Sequence, residues 1–215
     1  MTDPLPRSPD NVAPPSSGPT TGAADEPVSA ATATAALREL AAAASRTADL
    51  LGAEVARAAT LVRDTVRAGG TLFFCGNGGS AADAQHIATE YVVRYRRTRR
   101  AYPAVALTTD TSLLTAAGND LGFDQLFARQ VEALGRPGDL LSIHSTSGNS
   151  PNVLEAARAA RARGVRVLAL TARDGGALRE LADLTLVVPT ERTDRAQELH
   201  LCIQHLICDL VEAEL

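Results

Sequence analysis

Short apolar runs alternate along this chain with longer stretches in which apolar residues recur at helical spacing. Runs of this length, bounded by turn residues, are typical of buried strands. Five of them predict strands at 71–75, 104–107, 140–144, 166–170 and 185–188. The intervening stretches predict helices near 80–95, 124–134, 151–163 and 176–182, and a final helix is predicted at 194–214. An Ala-rich region at 31–68 predicts one or two further helices, with Gly52 as a weak point.

Strands that alternate with helices predict a parallel sheet covered on both faces, which is an α/β architecture. For five strands the common doubly wound, flavodoxin-like arrangement has the order 2-1-3-4-5. In that order, ligands bind beyond the carboxyl ends of strands 1 and 3, where the order reverses. The two most unusual loops of the chain, at 76–80 and 145–151, follow these two strands. We therefore expect the functional site at this edge of the sheet.

The loop after the first strand reads GNGGS at 76–80. Its glycines allow a tight turn and a close approach of the backbone to a ligand. Ser80 is expected to cap the following helix, with Asp83 completing a capping box, and amides at a helix start attract anions. The loop fits either a sugar-phosphate cradle or an ordinary strand–helix connection. It lacks the GxGxxG spacing, which disfavours a dinucleotide.

Hydroxyl groups dominate the loop after the third strand, which reads STSGNSP at 145–151. Pro151 suits the first position of a helix, and Ser150 suits its N-cap. Hydroxyls together with the amides of a helix start can hold a phosphate group without any lysine. A Ser-rich capped turn is the alternative, but the position opposite the Gly-rich loop favours phosphate binding.

Two predicted helices carry polar side chains at a spacing that places them on one face. His86 and Glu90 are four residues apart, and Gln197 and His205 are two turns apart on the last helix. Side chains of these types from two helices can ligate zinc or perform acid–base chemistry. Each histidine taken singly is more often structural, so the spacing alone is weak evidence. The last helix also has a competing pair on another face, His200 and Gln204.

All 21 basic residues of this 215-residue chain are arginine, and the 25 acidic residues give a formal net charge of −4. The absence of lysine excludes Schiff-base aldolases, pyridoxal-phosphate enzymes and P-loop nucleotide binding. Five arginines surround Tyr95 within the segment 94–100. Such a segment could bind nucleic acid. Because the rest of the chain is nearly neutral, we favour a solvated helix end or a contact between subunits, with no nucleic-acid partner.

Residues 1–30 contain seven of the eleven prolines and no aromatic residue. A segment of this composition cannot bury enough apolar surface to fold. We therefore predict a disordered arm at 1–30 before a single domain at 31–215. The three cysteines lack the spacing of a zinc site or a disulfide framework. Without a signal pattern or an apolar run of transmembrane length, we expect a cytoplasmic protein with no membrane partner.

Taken together, the motifs resemble the sugar-isomerase (SIS) domain of the sedoheptulose-7-phosphate isomerases, also called phosphoheptose isomerases. The sequence CGNGGSAADAQH at 75–86, with Glu90 following, carries the resemblance. It continues in order through 108–110, 118–120, 145–150, 171–176 and 197–200. It covers the chain from about residue 35 to the C-terminus and leaves the arm outside. His144 departs from the family pattern, which usually has an apolar residue at that point.

The resemblance implies an aldose–ketose isomerase that converts D-sedoheptulose 7-phosphate to D-glycero-D-manno-heptose 7-phosphate, the first step toward activated heptoses. It implies Glu90 and His205 as the proton-transfer residues, one zinc ion per site and no organic cofactor. It also implies a homotetramer in which more than one subunit builds each site and the Glu90–His205 pair forms across subunits. The implied zinc ligands are His86, Glu90, Gln197 and His205. The implied substrate-binding residues are Asn77, Gly78, Gly79, Ser80, Glu90, Arg94, Asn119, Asp120, Ser145, Thr146, Ser147, Ser150, Asp194 and Gln197.

Two other functions stay open at this point. Some close relatives of the family bind the replication initiator and have altered catalysis, and other SIS proteins isomerise or sense different sugar phosphates. The presence of Glu90 and His205 favours an enzyme over the first alternative. The residues from Gln197 to His205 favour the heptose branch over the second. The sequence does not indicate the product anomer or epimer, or the downstream pathway.

Overall fold

A computed structural model describes residues 29–215, so nearly all of the arm predicted at 1–30 lies outside the described residues. The strands are β1 (Leu72–Gly76), β2 (Ala104–Ala106), β3 (Leu140–His144), β4 (Arg166–Ala172) and β5 (Leu184–Val188). The helices are α1 (Ala30–Arg67), α2 (Gly79–Val92), α3 (Thr111–Asp120), α4 (Ala128–Leu134), α5 (Pro151–Ala162) and α6 (Thr193–Glu214). All strand pairs are parallel and the order is β2-β1-β3-β4-β5, which confirms the predicted topology.

Three helical features differ from the sequence prediction. α1 is a single helix that runs through Gly52, because one glycine costs a long helix only about 1 kcal/mol relative to alanine. The sequence analysis missed α3, which begins where the side chain of Asp110 accepts a hydrogen bond from the N–H of Leu113 at 2.9 Å. The helix predicted at 176–182 is only a 3₁₀ turn, Ala177–Glu180, which follows two glycines with positive φ.

Alternate residues of each central strand point to opposite faces of the sheet, and each face has its own apolar core. Leu72 and Phe74 of β1 pack with α1, α2 and α6 on one face. Phe73 and Cys75 pack with α4 and α5 on the other. Both faces of the sheet are therefore covered, as the continuous apolar runs in the sequence predict.

Strand pairing places the two polar loops side by side. β1 and β3 are neighbours, and Gly76 lies opposite His144 in their register. The loops that follow these residues therefore start together at the carboxyl edge of the sheet, as predicted. α2 and α6 also start at this edge and run side by side in the same direction. We call the contact between them the α2–α6 seam.

None of the helices described between residues 29 and 215 combines the length and the apolar character needed to cross a bilayer.

Candidate active site

α2 begins inside the Gly-rich loop. Gly78, with a positive φ of 55°, occupies the N-cap, and Gly79 is the first helical residue. The glycine conformation lets the chain turn directly into the helix. Ser80 consequently lies buried in the first turn and does not cap the helix, so that prediction is wrong. Asp83 completes no capping box. Burial raises its pKa, and its buried Oδ2 has no hydrogen-bond partner among the described residues.

Gly79 brings α2 very close to α6. A Cβ atom at this position would lie 2.8 Å from the amide atoms of Gln197, so glycine alone fits without displacing that side chain. Gln197 lies two turns before His205, about 12 Å along the helix axis. Its amide is therefore at the loop end of the seam. The role of Gln197 as a fourth zinc ligand stays a prediction.

A pair of asparagines joins the two loops. The Nδ2 of Asn77 donates to Oδ1 of Asn152 at 2.8 Å, and the Nδ2 of Asn152 donates to Oδ1 of Asn77 at 2.8 Å. Asn152 is the second residue of α5 and is almost fully buried. The sequence analysis missed this residue, although an asparagine directly after Pro151 in a polar loop was an available signal. The pair fixes the spacing between the Gly-rich and Ser-rich loops.

The Ser-rich loop is supported by the loop that follows β4. Leu178 donates its N–H to the carbonyl of Gly148 at 2.9 Å, and Ala177 donates to the side chain of Asn149 at 2.8 Å. Gly148 has a φ of 63°, and a Cβ atom there would collide with the backbone of Gly175. The Ser-rich loop is therefore held in one conformation before any ligand arrives.

α5 begins at the predicted residue, but the predicted capping hydrogen bond is not formed. Pro151 is the first helical residue, and Ser150 occupies the N-cap. The side chain of Ser150 makes no capping hydrogen bond. Ser147 Oγ accepts the N–H of Asn149 at 3.2 Å, and Ser145 Oγ accepts that of Gly148 at 3.2 Å. The hydroxyl of Ser150 is left available for a ligand.

His86, Glu90 and His205 meet on the α2–α6 seam. The Nε2 of His86 lies 2.9 Å from Nε2 of His205 and 3.4 Å from Oε1 of Glu90. One ligating atom from each residue lies within 4.8 Å of the others. The resemblance implied that Glu90 and His205 meet across subunits, but one chain is sufficient. The two helices run in the same direction, so positions at similar distances from their starts come together.

The surroundings of His205 favour its neutral form. Partial burial lowers its pKa, the neighbouring His86 lowers it further, and Glu90 opposes both effects. A neutral imidazole holds a proton on one nitrogen and accepts one at the other.

The donor set of this cluster suits a metal ion. Two imidazole nitrogens and one carboxylate oxygen are donors that zinc prefers. Ligand atoms of a tetrahedral zinc ion lie about 3.3 Å apart, which is close to the observed separations of 2.9 and 3.4 Å. His86, Glu90 and His205 can therefore hold a metal ion and leave one coordination position open.

Four more of the predicted substrate-binding residues lie at or near the ends of helices. Asn119 and Asp120 end α3 and are hydrogen-bonded to each other at 2.7 Å. Asp194 lies in the first turn of α6, where its hydrogen bonds to Arg192 lower its pKa to about 2. Arg94 is exposed beyond the end of α2. In the part of the chain described, none of these side chains forms a hydrogen bond or ion pair with His86, Glu90 or His205.

Two further histidines are buried between the sheet and α6. The Nε2 of Gln204 donates to Nε2 of His144 and to Oγ of Ser142, both at 2.8 Å. His200 donates through Nε2 to the carbonyl of Thr171 at 3.0 Å. Both imidazole rings are fully buried. His144, His200 and Gln204 therefore form buried hydrogen bonds that link α6 to the sheet.

These buried histidines predict a fall in stability at mildly acid pH. Burial, aided by the nearby His200, lowers the pKa of His144 to about 3, and burial lowers that of His200 to about 4. The unfolded chain binds these protons near pH 6.5. Stability is therefore complete above that pH and declines below it, by about 1.4 kcal/mol per pH unit for each histidine. We expect the urea concentration at the unfolding midpoint to be lower at pH 5 than at pH 7. This decrease should be smaller in the His144→Leu variant than in the wild type. Equal slopes in the two proteins would contradict this.

Residues 37–172 match the SIS domain family. The chain is 57% identical over 162 residues to the phosphoheptose isomerase of Chlorobaculum parvum, covering 74% of this chain and 78% of that protein. It is 50% identical over 165 residues to that of Akkermansia muciniphila, covering 77% and 87%. The structure of the phosphoheptose isomerase from Neisseria gonorrhoeae aligns with a TM-score of 0.81 and 45% identity, covering 85% of this chain and 98% of that one. The similarity therefore extends beyond the fold.

Proposed function

The chain belongs to the phosphoheptose isomerase family of SIS-domain proteins, and we propose from this premise that it converts D-sedoheptulose 7-phosphate to D-glycero-D-manno-heptose 7-phosphate. The observation that carries the proposal is the meeting of His86, Glu90 and His205 on α2 and α6, which both start at the edge of the sheet that carries the two polar loops. An acid–base cluster and an anion-binding edge are the two parts that a sugar-phosphate isomerase requires.

The phosphate group binds at the Ser-rich loop in this proposal. Residues Ser145, Thr146, Ser147 and Ser150 supply hydroxyls, and the starts of α2 and α5 supply amides. No lysine exists in the chain to take this role. His86 lies seven residues after Gly79, about 10 Å along α2. An extended seven-carbon sugar with a terminal phosphate is of comparable length, so its C1–C2 end reaches the cluster.

Glu90 and His205 move the protons. The carboxylate of Glu90 takes the proton from C1 of the ketose and returns it to C2, which passes the sugar through an enediol. The neutral imidazole of His205 donates a proton to the C2 oxygen through the ring nitrogen that would not bind the metal, and that nitrogen regains a proton from the C1 oxygen. One proton is moved between carbons and one between oxygens, so the product is an isomer of the substrate.

We propose one zinc ion per site and no organic cofactor. His86, Glu90 and His205 would hold the ion, and when bound it supplies Lewis-acid polarisation of the sugar oxygens. Glu90 keeps one carboxylate oxygen for the C1 proton. The remaining substrate-binding predictions, including Asn77, Arg94, Asn119, Asp120, Asp194 and Gln197, stay predictions.

A panel of ketose phosphates tests the substrate assignment. We expect purified, zinc-loaded protein to convert sedoheptulose 7-phosphate much faster than five- or six-carbon ketose phosphates, since their shorter chains do not reach from the Ser-rich loop to the cluster. Faster turnover of a shorter sugar would favour another isomerase activity. Binding of sugar phosphates without turnover, or binding of the replication initiator instead, would favour the non-catalytic alternatives.

The proposal includes a homotetramer, which an apolar groove between α1 and α6 supports. The groove has a volume of about 320 Å³ and is lined by Leu199, Leu206 and Leu210. Leu206 and Leu210 are 50% and 44% exposed, and Leu37 and Leu50 of α1 are more exposed still. Contact with a second copy would cover these side chains.

We expect the double variant Leu206→Glu/Leu210→Glu to form smaller assemblies than the wild type, since two carboxylates would be buried at the contact. Light scattering after gel filtration measures the mass. Leu134→Glu on α4 is the matched control, because Leu134 is 49% exposed and lies on the other side of the sheet. A double variant with the wild-type mass would exclude this groove as the contact.

A further inference from the structure

The arginine-rich segment after α2, which the proposed function does not use, folds back onto the end of α6. Glu212 is only 6% exposed, and its carboxylate accepts four hydrogen bonds from this segment. The donors are the backbone N–H groups of Tyr95, Arg96 and Arg97 at 3.0, 2.9 and 3.0 Å, and Nε of Arg99 at 3.0 Å. These donors replace the water that burial removes from the carboxylate.

The same contacts secure the end of the helix that carries Glu90. The guanidinium of Arg99 donates to the carbonyls of Glu90 and Tyr91 at 2.6 and 2.8 Å, in the last turn of α2. Burial alone would raise the pKa of Glu212, but the three N–H groups and Arg99 outweigh it and hold that pKa below its ordinary value. The carboxylate is charged at neutral pH and ties the segment to both helices of the seam.

Tyr95 is the residue of this segment that reaches the acid–base cluster. Its ring stacks on the imidazole of His205, with centroids 5.5 Å apart and planes 20° apart. His86 meets His205 edge-on at 5.1 Å. The guanidinium of Arg96 lies 5.2 Å from the centre of the Tyr95 ring and is itself bound to Asp209 at 3.0 Å. The contact of Tyr95 with His205 is therefore made by its ring.

We propose that Tyr95, held in place by Glu212, is a positioning residue that fixes the side-chain rotamer of His205. The proposal rests on the role proposed above for His205. A different rotamer would carry Nε2 away from His86 and Glu90. A displacement of about 1 Å in a reacting group can cost on the order of 10²-fold in rate. A flat ring packed on the imidazole opposes that rotation.

NMR of the histidine side chains tests the stack without any turnover. We expect the carbon-bound ring protons of His205 to be shifted upfield by the ring current of Tyr95 in the wild type and in Tyr95→Phe. The upfield shift should be lost in Tyr95→Ala and in Tyr95→Leu, which retains bulk but has no ring. An unchanged His205 spectrum in Tyr95→Ala would overturn the proposal.

Kinetics on sedoheptulose 7-phosphate test the consequence. We expect Tyr95→Ala to lower kcat by about tenfold or more while KM changes little, and Tyr95→Phe to restore kcat. Glu212→Gln should lower kcat in the same way, because an amide cannot accept all four hydrogen bonds. Glu214→Gln, which loses only an exposed pair with Arg63, is the matched control. Wild-type kcat in Tyr95→Ala, or equal losses in Tyr95→Phe, would overturn the proposal. If the wild type shows no turnover, the proposed function fails, and the NMR spectra still decide the stack.

Discussion

The Glu90→Gln variant is expected to lose at least about 10²-fold in kcat, which corresponds to about 2.7 kcal/mol of transition-state stabilisation. Glutamine has nearly the shape of glutamate but cannot take a proton from carbon. The side chain of Glu90 is mostly buried and lies 3.4 Å from Nε2 of His86. The two other members of the cluster are histidines, so the cluster contains no second carboxylate that could act as the base. Steady-state kinetics on sedoheptulose 7-phosphate measure the effect, and KM should change much less than kcat.

Glu132→Gln is the matched control for this substitution. Glu132 lies on α4 beyond the opposite face of the sheet, where it forms an exposed pair with Arg129. The control should retain wild-type kcat. Near-wild-type turnover by Glu90→Gln, with normal folding, would show that Glu90 is not the base.

His205→Ala is expected to have the second large effect, and it changes two observables. The proton transfer between the sugar oxygens loses its carrier, so kcat should fall by at least about 10²-fold. The proposed metal site also loses one of its three ligands. Zinc content after dialysis against a weak chelator should therefore fall, whereas Glu90→Gln keeps both imidazoles and should retain more zinc.

His200→Gln separates this effect from a general disturbance of α6. His200 is buried one turn before Gln204, and its imidazole donates to the carbonyl of Thr171. A glutamine amide can donate in the same way, so the variant should retain zinc and activity even if it is less stable. If His200→Gln loses zinc while His205→Ala retains it, the ligand assignment on α6 is wrong.

Much of this site follows from the sequence because its parts are local. The Gly-rich and Ser-rich loops follow particular strands, and the strand order alone brings Gly76 beside His144. The spacing of His86 and Glu90 places them on one helical face. These features depend on short-range sequence patterns and on a sheet topology that is common in chains whose strands alternate with helices.

The features that sequence analysis missed depend on contacts between distant segments. The acceptor of Tyr95 N–H is Glu212, 117 residues away, and nothing in the local sequence of either residue indicates the other. His144 and Gln204 likewise pair across 60 residues.

NMR of the zinc-loaded full-length protein with sedoheptulose 7-phosphate in D₂O tests the assigned reaction most directly. The proton that Glu90 removes from carbon exchanges with solvent at the enediol stage, so solvent deuterium should enter at C1 or C2. We predict aldose heptose 7-phosphate with deuterium at C2, and residual ketose with deuterium at C1. A ketose that stays unchanged, with no aldose formed and no deuterium at either carbon, would contradict the assignment of this protein as a phosphoheptose isomerase that acts through Glu90 and His205.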